Sequence, residues 1–197
     1  MAVHKTHDVR KESILAAARK VAREDGLRGT NVRAIAREAG TSPASVLYYY
    51  TSIDALIEAA IEHVFSEYYI DRRKLIDDDT DPLHQLQTLI EHGVPDNVGE
   101  DMGIVYEVAA NLNRYPEFAE PMRALHERQV ELYGDVIDRG VRAGLFFPQP
   151  DVATVARNIV ALEDTYDFYP LIGMTISREL LRENVRSYAR VALGANV

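Results

Sequence analysis

Residues 30–56 of the chain read TNVRAIAREAGTSPASVLYYYTSIDAL. Thr30-Asn31 and Ser42-Pro43 each precede a short apolar block with helical spacing, and Gly40 stands between the two blocks. Ser, Thr and Asn are preferred at helix N-caps, proline at the first helical position and glycine just after a helix end. The stretch therefore predicts two short helices joined by a tight turn, which is the spacing of a helix-turn-helix.

Helical spacing also dominates on both sides of this stretch. Apolar residues recur at intervals of three and four, and no segment alternates by two. A first helix should end at Asp25-Gly26, and Thr51-Ser52 should cap a longer helix. Further along, Pro116 should open a long helix, Asp151 should cap the next helix, and residues 177–193 should form the last one. The pattern predicts an all-α fold of about nine helices.

The charge is divided unevenly along the 197 residues. The whole chain carries a net charge of −9 and has a pI near 5.2, which taken alone argues against a nucleic-acid partner. Residues 1–50, however, hold nine Lys and Arg against five Asp and Glu, a net +4, and the remainder is −13. This asymmetry favours a polyanion-binding head on an acidic body.

Composition and motifs exclude several classes of protein. The chain has no cysteine, which rules out disulfides and thiolate metal sites, and no apolar run approaches the roughly 18 residues of a membrane span. Its six histidines are scattered, and no zinc-protease motif, phosphate loop or nucleophile elbow is present. We expect a cytoplasmic protein without membrane association, cofactor, metal site or catalytic residues. A helical enzyme and a pure interaction module are the weaker alternatives.

The stretch from Thr30 to Leu56, with the helices before and after it, resembles the DNA-binding domain of TetR-type transcriptional repressors. The resemblance covers about residues 9–60. It implies a helix-turn-helix DNA-binding domain over residues 1–51 and a larger helical domain over residues 52–197. That second domain would form the homodimer and bind a small molecule that releases the DNA.

The resemblance also implies which residues meet double-stranded DNA. Leu47 stands where the family usually has Tyr, and Ile53 stands where it usually has Lys. Tyr48 or Tyr49 must then supply a phosphate-binding hydroxyl, and affinity should depend more on basic residues of the head, while Tyr50 is expected in the core. The groove-facing positions are Thr41, Ser42, Ala44, Ser45 and Tyr48; the phosphate contacts are Thr30, Asn31, Tyr49, Thr51 and Ser52; the supporting basic residues are Lys5, Arg10, Lys11, Arg28 and Arg33.

A two-fold dimer would present two recognition helices and so demand an inverted-repeat operator. The last two helices each carry an apolar stripe, and such stripes can form a four-helix packing with a partner. The expected interface residues are Val152, Val155, Ile159, Leu162, Leu181, Val185 and Tyr188. The alternative is that these stripes only close the core of the chain itself.

Residues 162–169 of the acidic body interleave three carboxylates with three aromatic rings. Both kinds of group attract a cation. We therefore expect a small-molecule effector that is a cationic amine, such as a polyamine. The candidate ligand-binding residues are Tyr106, Glu107, Asn111, Glu163, Asp164, Tyr166 and Asp167. In the alternative, Glu163 and Asp167 are solvated or lie at the dimer interface, and an apolar pocket binds a neutral or anionic metabolite.

Overall fold

The computed structural model describes residues 2–76, 81–96 and 102–195, with side chains from His7 onward. Within these ranges all regular structure is helical, so the all-α prediction is confirmed. Short 3₁₀ turns at Pro116–Phe118 and Tyr169–Ile172 accompany nine α-helices. The helices are α1 (Ala2–Gly29), α2 (Val32–Glu38), α3 (Pro43–Tyr49), α4 (Ile53–Lys74), α5 (Pro82–Gly93), α6 (Met102–Ala110), α7 (Ala119–Arg142), α8 (Val152–Phe168) and α9 (Arg178–Leu193).

The chain divides into two compact units. The first comprises residues 1–66 with 99–121, and the second comprises residues 67–98 with 122–197. The functional boundary expected after residue 51 concerns DNA binding and stays a prediction. Among the described residues, no helix combines the length and apolar character that crossing a bilayer requires.

Side-chain caps fix where five of the helices begin. In each case a side-chain oxygen accepts a hydrogen bond from the backbone N–H three residues further on, which satisfies a donor that the first turn leaves unpaired. The capping predictions made from the sequence are confirmed at the first four positions below, while the last helix, expected to begin at Ser177, begins at Arg178 with Ser177 as its cap. The pairs are Asn31 with Ala34, Ser42 with Ser45, Ser52 with Ala55, Asp151 with Thr154, and Ser177 with Leu180.

The first unit has an apolar core built from α1 to α4. Ile14, Ile35, Val46 and Leu56 are fully or almost fully buried in it. Tyr50 joins them with only 7% of its surface exposed, which confirms that it is a core residue. Helix α1 bends at Gly26, whose φ of 69° lies in the left-handed region that glycine tolerates. The first helix is therefore interrupted near its predicted end at Asp25-Gly26, and one further helical turn follows to Gly29.

The second unit buries the apolar stripes of α8 and α9 within the chain itself. Val155, Ile159 and Val185 have no exposed surface, and Leu181 has 2%. All four belong to a core that also includes residues of α5 and α7. The prediction that these four line a dimer interface is therefore wrong, because the chain's own helices cover them. Val152, Leu162 and Tyr188 are only partly buried, and for them the prediction stands.

The sequence predicts that the long helix starts at Pro116, whereas the structure forms a 3₁₀ turn there and begins α7 at Ala119.

Helix α7 is followed by a tight turn that folds back over it. After the helix, Gly144 takes a φ of 71°, and the backbone N–H of Phe146 donates to the carbonyl of Gly140 at 3.2 Å. The ring of Phe146 then lies where a side chain at residue 140 would be, since a Cβ there would meet it at 2.0 Å.

Two glycines of α7 provide a matched test of this close approach. Gly140→Ala should lower the free energy of unfolding by about 1 to 3 kcal/mol because the buried Phe146 ring must move. Gly134→Ala, in the same helix with nothing within 4 Å of the added Cβ, should raise it by about 0.5 to 1 kcal/mol through helix propensity. Urea unfolding followed by circular dichroism measures both. Equal effects of the two substitutions would contradict the packing described here.

Candidate functional site

The exposed N-terminal half of α3 is the candidate DNA-reading surface. The turn before it contains Gly40 at a φ of 59°, and the Thr41 N–H closes the turn by donating to the Ala36 carbonyl at 2.9 Å. Ser42 and Ala44 are exposed and Thr41 and Ser45 are partly exposed. The opposite face of α3 is held in the core by Val46. Short side chains at the start of a helix allow the backbone to approach a base edge or a phosphate closely.

An aromatic cluster lies at the other end of α3. Tyr48 is 76% exposed, and its ring meets that of the partly exposed Tyr49 edge-on, with centroids 5.2 Å apart. The imidazole centroid of His7 lies 4.7 Å from the Tyr49 ring centroid, so the N-terminal part of α1 lies beside α3. The sequence does not predict His7 as a residue of the DNA-binding surface, since nothing in the local pattern around it indicates that α1 reaches Tyr49.

Basic and polar residues around α3 occupy different environments. Arg10, Arg33 and Thr51 are exposed, as phosphate contacts require, while the side chain of Lys5 lies outside the described residues. Asn31, Ser42 and Ser52 use a side-chain oxygen to cap a helix. Thr30 is buried, and its hydroxyl donates to the Gly26 carbonyl at 2.9 Å. The predicted phosphate contact of Thr30 is therefore corrected: its hydroxyl hydrogen is already committed inside the unit.

Comparison with known proteins agrees with this geometry. The family model of bacterial regulatory proteins, tetR family, matches residues 14–60. The transcriptional repressor KstR2 of Mycobacterium tuberculosis is 30% identical over 161 residues, which cover 76% of each chain. The chain belongs to the TetR family. It is a transcriptional regulator, and its relatives are not enzymes.

Two solved structures share the fold of this TetR-family chain. A TetR transcription regulator from Haloarcula marismortui has a TM-score of 0.85 at 23% identity, covering 94% of this chain and 99% of its own. A transcriptional regulator from Saccharomonospora viridis, solved in complex with choline, has a TM-score of 0.81 at 19% identity, covering 93% and 96%. At these identities the likeness concerns the fold alone.

The candidate effector residues of the TetR-family chain belong to both units. In the first unit, one oxygen of the Glu107 carboxylate accepts the Leu27 N–H at 3.1 Å, just after the bend at Gly26. Asn111 donates to the backbone carbonyl of Glu107 at 2.8 Å, and Tyr106 is partly exposed. The described contacts thus assign Glu107 a structural role at the bend of α1, while a ligand-binding role for these three residues stays a prediction.

In the second unit, Glu163 is buried against a cation of the chain itself. Its side chain is 2% exposed, and one carboxylate oxygen lies 3.0 Å from an Nη of Arg72, which is 4% exposed. The other oxygen accepts a hydrogen bond from the Tyr133 hydroxyl. Gly93 makes room for this carboxylate, since a Cβ there would lie 1.8 Å from its Oε1. The amine that Glu163 was expected to attract is replaced in this structure by an internal guanidinium.

The remaining acidic candidates also have partners. Asp167 is buried and lies 3.3 Å from Arg178, so the alternative in which Glu163 and Asp167 are solvated is wrong. Asp164 is half exposed and lies 3.5 Å from the His126 ring. Tyr166 is mostly buried and meets the Tyr169 ring with centroids 5.4 Å apart. In the ranges that the structure describes, no three His, Asp or Glu side chains are grouped as a metal site would need.

Burial controls the protonation of this cluster. It raises the pKa of the Glu163 carboxyl from 4.5 to about 7, although Arg72 and Tyr133 both oppose the shift. Burial also raises the pKa of Tyr133 well above its usual value, so the hydroxyl stays protonated and donates a hydrogen bond to Glu163. Burial, the largest single influence, would lower the pKa of Arg72, but Glu163, Tyr133 and Tyr68 together outweigh it and raise that pKa. Arg72 therefore stays charged while Glu163 titrates.

The raised pKa of Glu163 makes stability depend on pH. Because the folded chain holds this proton more tightly than the unfolded chain, the contribution is fully present below about pH 4.5 and is lost as the pH rises through 7. Between pH 4.5 and 7.5 the free energy of unfolding of the wild type, relative to that of Glu163→Gln, should fall by about 1 to 3 kcal/mol. Urea titrations at several pH values measure this difference, and a constant difference would contradict the assignment.

Proposed function

We propose that this chain is a repressor that binds an inverted-repeat operator as a homodimer and is released by a small molecule. The observation that carries the proposal is the exposed surface of α3, with short side chains at its N-terminal end and Tyr48 at the other. It lies within residues 1–50, which have a net charge of +4 in a chain of net charge −9. Such a head is attracted to phosphates while the acidic remainder is repelled, which helps to orient the head on DNA. Chromosomal DNA implies a cytoplasmic location.

A homodimer is supported by an exposed apolar surface in the second unit. Six large apolar side chains between residues 168 and 180 are each at least 37% exposed: Phe168, Leu171, Ile172, Met174, Ile176 and Leu180. We call these residues the apolar patch. Large apolar side chains that are exposed near one another often mark interaction sites in proteins. The interface is therefore proposed for this patch, which runs from the end of α8 to the first turn of α9, instead of for the four buried stripe residues.

We consider two classes of small-molecule effector for the second unit. The interleaved acidic and aromatic residues favour a cationic amine, and the choline-bound regulator from Saccharomonospora viridis shows that a similar fold can hold a quaternary ammonium. In this chain the charges of Glu163 and Asp167 are met by Arg72 and Arg178. A cation must therefore compete with an internal arginine. A neutral or anionic metabolite in an apolar pocket remains the second candidate.

Removing the exposed Tyr48 ring tests the DNA-binding surface. Tyr48→Ala should weaken binding to a duplex selected by the wild-type chain from a random-sequence pool by roughly 5- to 100-fold, which is about 1 to 3 kcal/mol. Binding to a duplex of unrelated sequence should change less, since that binding depends on phosphate charge. Fluorescence anisotropy at several salt concentrations measures both.

Ile70→Ala is the matched control for this experiment, because Ile70 is an exposed apolar residue on α4 outside the proposed surface. It should leave both affinities unchanged. If the wild-type chain selects no duplex, the proposed function fails. If Tyr48→Ala lowers both affinities equally, the reading role of Tyr48 fails while DNA binding stands.

A charge on the apolar patch tests the dimer. Leu180 is 53% exposed, so Leu180→Glu should leave the fold intact but place an unpaired charge in the proposed interface. The wild type should elute at twice the chain mass of 22.2 kDa in size-exclusion chromatography with light scattering, and the variant should shift to the monomer.

Ile70→Glu provides the control here, since it adds the same charge to an exposed apolar position away from the patch and should remain dimeric. Footprinting of the wild type should protect two symmetrical half-sites. A monomeric wild type, or a single asymmetric half-site, would reject the homodimer.

A further inference from the structure

Arg72 lies in a cage whose groups are those of a cation-binding site. Its guanidinium carbon lies 5.7 Å from the centroid of the Tyr68 ring and 5.4 Å from that of Tyr133. The Glu163 carboxylate faces it at 3.0 Å. Aromatic rings and a carboxylate around one buried positive charge are the arrangement by which proteins recognise guanidinium and substituted ammonium groups.

Hydrogen bonds complete the cage. Arg72 donates to the hydroxyls of Tyr68 and Tyr133 at 3.1 and 3.0 Å, to the Gln129 side-chain oxygen at 3.3 Å and to the Leu89 carbonyl at 3.4 Å. These partners come from α4, α5 and α7, and together with Glu163 of α8 they surround both Nη atoms. Only the buried Nε lacks a partner. All of these acceptors bind the Nη atoms of the planar guanidinium group, and none of them contacts Arg72 through Nε. They could therefore bind the same group on a molecule other than this arginine side chain.

We propose that Tyr68, Tyr133 and Glu163 form a binding site for an alkylguanidinium or alkylammonium ligand, and that Arg72 is its resident occupant in the resting chain. Because the cage holds one cation at a time, an external cation binds there only in competition with Arg72. The charge of Glu163 is thus kept paired in both states, which avoids the cost of an isolated buried carboxylate. The regulatory meaning of this site, release of DNA by a cationic effector, rests on the proposed function.

Removing the internal occupant provides the test. In Arg72→Ala the atoms lost beyond Cβ correspond to ethylguanidinium, so this cation is the probe, and N-ethylurea is its neutral analogue of similar shape. Arg72→Ala should melt at a lower temperature than the wild type. Millimolar ethylguanidinium should restore the melting temperature and N-ethylurea should not, because ligands stabilise the state that binds them.

Three matched proteins locate the effect. The wild type should bind ethylguanidinium at least tenfold more weakly than Arg72→Ala, since Arg72 competes for the cage. The double variant Arg72→Ala/Glu163→Gln should lose the response because the carboxylate is gone. Arg73→Ala, which removes the neighbouring exposed arginine, should respond like the wild type. An equal response of Arg72→Ala and the wild type, an equal effect of N-ethylurea, or a full response of the double variant would each overturn the proposal.

Poor folding of Arg72→Ala leaves the proposal testable. Refolding from urea should then recover helical circular dichroism with ethylguanidinium present and should fail with N-ethylurea, and failure with both would overturn the site. Arg72→Lys and Arg72→Met give a second comparison, because lysine keeps a cation in the cage while methionine fills the space without charge. At about pH 9, above the raised pKa of Glu163, lysine should be the more stable variant, and the reverse order would also overturn the proposal. None of these measurements uses DNA, so their outcome is independent of whether the chain binds an operator.

Discussion

A buried guanidinium needs both a negative charge and a set of hydrogen-bond acceptors, and Arg72 imposes this requirement on the second unit. Isolated in a medium of low polarity, its charge would cost many kcal/mol. Glu163 supplies the countercharge, while two tyrosine hydroxyls, an amide oxygen and a backbone carbonyl accept its protons. Meeting the requirement joins the last turn of α4 to α5, α7 and α8. The arrangement of these helices is thus coupled to the position of one side chain.

The same requirement explains neighbouring features that look unrelated along the chain. Residue 93 is glycine because the Glu163 carboxylate occupies the space of a Cβ. Tyr133 is fully buried yet polar because its hydroxyl must donate to Glu163. The raised pKa of Glu163 follows from the burial that the pair shares with the apolar core around it. A cluster in which charges are paired is therefore also sensitive to pH.

The two units differ in the surfaces that they expose. The first unit exposes short polar side chains and tyrosines on α3 over a compact apolar core. The second exposes an apolar patch over a core that contains buried ion pairs. Family membership makes DNA regulation the common purpose. We propose two separate partner sites in the second unit: the exposed apolar patch for a second copy of the chain, and the buried cage for a small cation.

The sequence by itself determined the helical class, the capped starts of α2, α3, α4 and α8, and the helix-turn-helix, because these depend on residue types within a few positions of each other. The sequence also predicts Tyr50 in the core, and the structure confirms it. Only the tertiary structure decided which apolar stripe is covered by the same chain and which faces outward, as Val155 and Leu180 show. It likewise decided that the Thr30 hydroxyl donates a hydrogen bond to the Gly26 carbonyl. It also decided that the cation paired with the Glu163 carboxylate is Arg72, which lies 91 residues away along the chain. Pairings between residues far apart in the sequence depend on how the helices pack against each other, and the spacing of residue types within one helix does not determine that packing.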